Sequence, residues 1–132
     1  MDFNKLHEEI TGSNVSAQRH NEIWSIFHSE LHAIGKDGRT AEANKDYELA
    51  VKKYNEVISF TKSYSVIDRI QNYGTYLERL AIVYRKLKLY AEEVELLEYH
   101  ISLCERDNAY NIKSVQERLI KAQELLSKTK DE

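Results

Sequence analysis

Two histidines four residues apart, in His28-Ser-Glu30-Leu-His32, form the one constellation in this chain that invites catalytic or metal chemistry. On a helix they project from one face and could share a metal ion. The stretch is not the zinc-protease motif, in which Glu directly follows the first His. A metal centre would need a third ligand. His20, Glu30 or a residue from another helix are the candidates, and no spacing in the sequence singles one out. The pair is therefore assigned to a helix surface or groove, and neither metal nor cofactor is expected. Other catalytic patterns are missing: there is no Gly-rich phosphate loop, no nucleophile elbow, and no Arg with a His four to six residues after it. Carboxylate pairs such as Glu8-Glu9 and Glu92-Glu93 would point about 100° apart on a helix and read as solvated charge. The single thiol, Cys104, falls on an apolar seam with Val94, Leu97 and Ile101 and reads as a small buried hydrophobe. An enzyme is not expected.

Charge is distributed unevenly along the chain. Residues 68 to 90 carry about +3 through Arg69, Arg79, Arg85, Lys86 and Lys88 against Asp68 and Glu78, while residues 91 to 105 carry about −5. Arg79, Arg85, Lys86 and Lys88 interleave with Tyr76, Tyr84 and Tyr90, a mixture that nucleic-acid surfaces use. The adjacent acidic run opposes the phosphate field that dominates such binding, and the tyrosines coincide with a core seam, so nucleic acid is not the expected ligand. The bland account of the charge is pairing across a helical hairpin; the functional one is a basic groove backed by an acidic outer face.

The elements that must position these residues read as helices throughout. The 132 residues contain no Pro and only four Gly, with 42% hydrophobic content, enough for the core of one all-α domain spanning 1–132. Residues 1–15, with Phe3, Leu6 and Ile10 at helical spacing before a Thr11-Gly-Ser-Asn14 turn, read as a flexible or docking segment. A helix from about Ser16 to Ile34 is expected to break at Gly35 to Gly38, after which Thr40 caps a second helix ending near Thr61. Ser65-Val-Ile-Asp68 fits a capping-box variant. A helix with Gly74 near its start and Leu77, Leu80, Ala81 and Tyr84 along it follows, then helices near 90–106 and 111–129, the last with Ile112, Val115, Leu119, Ala122 and Leu126 as an apolar stripe. Gly74 suggests close approach of a neighbouring backbone or a free helix end. One Cys excludes an internal disulfide, the Met1-Asp-Phe-Asn-Lys start is no cleavable leader, and no apolar run reaches eighteen residues, so a soluble cytoplasmic protein without membrane contact is expected.

Leu77-x-x-Leu80-Ala81-x-x-Tyr84 and Ala43-x-x-x-Tyr47-x-x-Ala50 resemble the first-helix and second-helix signatures of the tetratricopeptide repeat (TPR). Leu31 stands where that family has a small residue, Val94 where it has Ala, and no Pro closes either unit. Ile34 and Tyr84, taken as equivalent, lie fifty residues apart rather than roughly 34. The resemblance implies antiparallel helical hairpins in a right-handed solenoid of about two units, with the C-terminal helix as a cap or a dimerisation surface. It also implies a groove lined by the first helix of each unit: Ser25, His28, His32 and Lys36, then Thr75, Glu78, Ile82, Arg85 and Lys86. Such a surface suits an acidic segment of a partner protein. It lacks the Lys/Asn set with which chaperone-binding TPR domains clamp a terminal carboxylate. The expected function is protein–protein interaction, as an adaptor or regulator, with stoichiometric inhibition of a larger complex as the alternative and a homodimer left open.

Overall fold

In the computed structural model, which describes residues 1–130 with only the backbone of Lys130, the second helix does not stop at the glycines. Helix α1 spans Phe3–Thr11, and α2 runs unbroken over Ala17–Ala43. Ser16 caps α2 by accepting from the Arg19 amide at 3.1 Å. The expected break at Gly35 to Gly38, with Thr40 as a cap, is thus corrected. Both glycines are buried in the helix interior, and each lacks a Cβ where an aromatic ring from another helix packs. A Cβ on Gly35 would fall within the Tyr76 ring, and one on Gly38 would lie 2.6 Å from Tyr54 Cε1. Tertiary packing offsets the propensity cost, about 1 kcal/mol for each Gly relative to Ala.

The chain reverses instead at Asn44-Lys45-Asp46, where Lys45 takes the left-handed conformation at φ 60 and the Asp46 amide donates to the Ala41 carbonyl at 2.8 Å. The Asp46 side chain then caps α3, Tyr47–Ser63, by accepting from the Leu49 amide at 3.2 Å. A second hairpin joins α4, Ile70–Lys86, to α5, Tyr90–Asp107, through Leu87-Lys88-Leu89 with the same hydrogen-bond pattern and Lys88 at φ 59. Each position in the second turn lies 43 residues after its counterpart, Leu87 after Asn44 and Tyr90 after Tyr47. Counting back from the matched turns makes Gly38, not Leu31, the equivalent of Ala81 and restores a small residue to both units.

Between the hairpins, Ser65–Ile67 forms one 3-10 turn without a side-chain cap, so the expected capping box is not formed. Asp68 is used elsewhere, accepting from the Tyr73 hydroxyl at 2.5 Å and from Arg106 at 3.0 Å. Helix α4 is capped from a distance: the Ile70 amide donates to Asp107 Oδ2 at the end of α5, at 2.9 Å. The Arg106 hydrogen bond holds the Asp107 carboxyl below its usual range against the opposing effect of burial.

Consecutive helices pack side by side from α2 through α6, Ile112–Lys130, and α2 also touches α4 directly. The core runs along this stack through Ile23, Phe27, Leu31, Val57, Leu77, Leu80 and Leu97, each at most 1% exposed. Burial of each such side chain contributes about 1.5–3 kcal/mol. The N-terminal segment docks: Phe3 lies 5.3 Å from the Phe27 ring and 5.4 Å edge-on to Phe60, and Ile10 is buried. At the other end α6 buries Val115 and Ala122 while Ile120 remains exposed. Inside α4, the nearest neighbours of a Cβ built on Gly74 are side chains and not backbone, Ile70 and His100 at 3.6 and 3.7 Å, ordinary contact distances. Cys104 is buried, and burial pushes its thiol up, away from reactivity.

Candidate functional site

Because α2 is continuous, Ser25, His28, His32, Lys36, Arg39 and Ala43 share one face over about five turns. On α4 the facing positions are Thr75, Arg79, Ile82 and Lys86, with Tyr76 at the buried edge. Two concavities open between these helices. One, about 480 Å³, is lined by His32, Lys36, Arg39, Thr40, Ala43 and Tyr76. The other, about 380 Å³, is lined by Arg39, Glu42, Ala43, Arg79 and Lys86. Sharing Arg39 and Ala43, they form one groove.

Among the described residues, Lys36, Arg39, Arg79 and Lys86 bring four cations to the groove against one carboxylate, Glu42. That carboxylate is already engaged: Glu42 Oε1 accepts from Arg79 Nε at 3.1 Å and from the Tyr54 hydroxyl at 2.8 Å. Burial works against its ionisation, but the Arg79 and Tyr54 hydrogen bonds and the charges of Arg79 and Lys86 outweigh it and hold Glu42 below the usual carboxylate range. Lys86 Nζ sits 5.4 Å from the centre of the Tyr47 ring, a cation–π contact that steers it along the groove wall. Among the described residues no carboxylate lies within ion-pair distance of Lys36 or Arg39. These exposed cations are the source of the groove's unneutralised charge.

The other end is aromatic and imidazole-rich. Trp24 stacks on His28 with centroids 4.6 Å apart, the Nε2 atoms of His28 and His32 are 3.1 Å apart, and His32 Nδ1 lies 2.6 Å from the Tyr76 hydroxyl. Burial, reinforced by His28, holds His32 below the usual histidine range, so it is neutral at pH 7. Among the described residues no cluster of three or more His, Cys, Asp or Glu is placed to hold a metal ion; neither His20 nor Glu30 completes such a set with the pair.

Of the residues expected to line the groove, His28, His32, Lys36 and Lys86 come together there, and Ile82 is half-buried on the same α4 face. Glu78 and Arg85 point elsewhere. Glu78 accepts from Asn111 at 3.1 Å, towards α6, and Arg85 binds Glu93 on α5 at 2.9 Å and donates to the Arg118 carbonyl at 3.3 Å. Charge pairing across the α4–α5 hairpin therefore accounts for Arg85. Arg39, Arg79 and Tyr76 were missed. The signal for Arg39 was the 28, 32, 36, 39, 43 spacing, which an expected helix break at Gly35 concealed. Arg79 shares a stripe with Thr75, Ile82 and Lys86, whereas Glu78 and Arg85 lie about 90° round the helix from its centre.

Comparison of the chain with protein-family models, curated proteins and solved structures gives no match. Among the described residues, no helix is long and apolar enough to cross a membrane.

Proposed function

We propose that this chain is a protein–protein interaction module whose α2–α4 groove takes an acidic segment of a partner, in the manner of a TPR-like pair of helical hairpins. The observation that carries this reading is the convergence of Lys36, Arg39, Arg79 and Lys86 on a concave surface whose one carboxylate, Glu42, is internally satisfied. Charge of this kind steers an acidic partner and fixes its register, while half-buried Trp24, stacked on His28, supplies apolar contact at the histidine end. The repeated turn geometry, the small residues Gly38 and Ala81 at equivalent positions and the direct contact of α2 with α4 support the TPR-like arrangement. The 43-residue period, longer than roughly 34, marks both units as departures from that repeat.

A site-specific photo-crosslinker tests the location of binding. Placed at Thr40 in the groove it is expected to yield a partner adduct in the native cell. Placed at exposed Glu98 on α5 it is expected to yield none. Adducts from position 98 alone would move the interface to the acidic face.

A further inference from the structure

We propose that His28 and His32 form a two-histidine chelate for a borderline divalent transition metal, with Cu²⁺ bound most tightly and Zn²⁺ more weakly, on the wall of the α2–α4 groove. The pair sits at i and i+4 of one helix with Nε2 atoms 3.1 Å apart. Metal–imidazole bonds of about 2.05 Å to two nitrogens at that separation enclose an angle of about 98° at the metal, between the square-planar and tetrahedral values.

Both rings are held by neighbours, as metal-binding histidines usually are. His32 Nδ1 lies 2.6 Å from the Tyr76 hydroxyl, and in the tautomer with the proton on Nδ1 that hydroxyl accepts it and the Nε2 lone pair is left for the metal. Trp24 stacks on His28 and fixes its plane. Without metal, the 3.1 Å Nε2 contact requires one proton between the rings. Binding moves it: the His28 Nε2–H bond breaks, an Nδ1–H bond forms on the same ring by exchange with solvent, and a nitrogen–metal bond forms at each Nε2, with both imidazoles neutral and no net proton released.

Two features set the strength. The described residues supply no third ligand, so water completes the shell, and the nearby cations Lys36 and Arg39 repel a second positive charge. The site is therefore a weak one, and imidazole ligation together with the Irving–Williams order places Cu²⁺ above Zn²⁺. This inference is independent of the partner reading.

The test is calorimetric titration of the full chain with CuCl2, and separately ZnCl2, in a non-coordinating buffer at pH 7.5. The expected result is one copper site, bound at least tenfold more tightly than zinc. His28→Ala and His32→Ala are each expected to weaken it at least tenfold, and Tyr76→Phe to weaken it less while leaving the stoichiometry at one. Imidazole nitrogen resonances of the unmodified protein give a second readout that no variant can compromise, with Zn²⁺ shifting Nε2 of His28 and His32 and leaving His7 and His100 in place. Copper bound equally by the His28→Ala/His32→Ala double variant, or zinc shifts confined to other histidines, would overturn the proposal.

Discussion

The ring of Tyr76 on α4 occupies the space that a Cβ of Gly35 on α2 would need, so a glycine inside one helix and a tyrosine inside another set how closely the two walls of the groove approach. Tyr76 carries the relationship further, since its hydroxyl meets His32 one turn away on the same α2 face. Core packing and site geometry are thus joined in one side chain.

Glycine substitutions separate this role from ordinary helix propensity. Gly35→Ala and Gly38→Ala each place a methyl group against a buried ring and are expected to destabilise by about 1–3 kcal/mol even though Ala favours helix. Gly74→Ala meets only ordinary contacts and is expected to stabilise by about 0.5–1 kcal/mol. Thermal melts of the three variants check the contrast; an equal response would mean that the rings do not constrain α2.

Charge reversal on α4 is expected to have a different meaning from reversal on α2. Arg85→Glu leaves Glu93, 1% exposed, without its cation and adds a second carboxylate beside it, so a loss of about 3–5 kcal/mol is expected. Lys36→Glu and Arg39→Glu alter exposed side chains and are expected to change stability by less than about 0.5 kcal/mol. Urea titration of the three variants distinguishes them, and a near-neutral Arg85→Glu would show that the Arg85–Glu93 pair is not structural.

Acid sensitivity is expected to begin at His100. It is 1% exposed, neither ring nitrogen has a hydrogen-bond partner among the described residues, and burial holds it below the usual histidine range, with Glu78 opposing that effect and Arg118 adding to it. As pH falls through about 6.5 the unfolded chain takes up a proton that the folded chain resists, so stability is lost progressively below that point. His32, also depressed by burial, adds to the loss in the same window, and Glu42 and Asp107, both depressed, add the same trend only below the carboxylate range. His100→Leu removes two unsatisfied nitrogens and is expected to raise stability at pH 7 by about 1–3 kcal/mol while flattening the loss between pH 6.5 and 5. An unchanged slope would assign the acid limb to other groups.

The helical character of the chain and the bounds of α5 and α6 were legible because their apolar periodicity and turn residues agree. The end of α2 was not, because Gly35 and Gly38 carry the same local signal whether they terminate a helix or admit a ring from another helix, 41 residues away for Gly35 and 16 for Gly38; the distinction lies in Tyr76 and Tyr54, which local sequence does not connect to them. The groove was legible in part for the same reason. His28, His32, Lys36 and Lys86 stood on the expected faces, but Arg39 lay beyond the assumed break. The partners of Arg85 on α5 and α6, and of Glu78 in the turn between them, become visible only once those helices are packed.

The central claim, that the α2–α4 groove binds an acidic partner through its exposed cations, is tested most directly by affinity capture from the native cell with mass spectrometry, using the unmodified chain beside a Lys36→Glu/Arg39→Glu variant of matched melting temperature and a Glu98→Lys control. The prediction is that a partner with an acidic segment is recovered by the unmodified chain and the control, in a salt-sensitive manner, and is depleted at least tenfold with the groove variant. Equal recovery of the same partners by all three would contradict it and place the interface away from the groove.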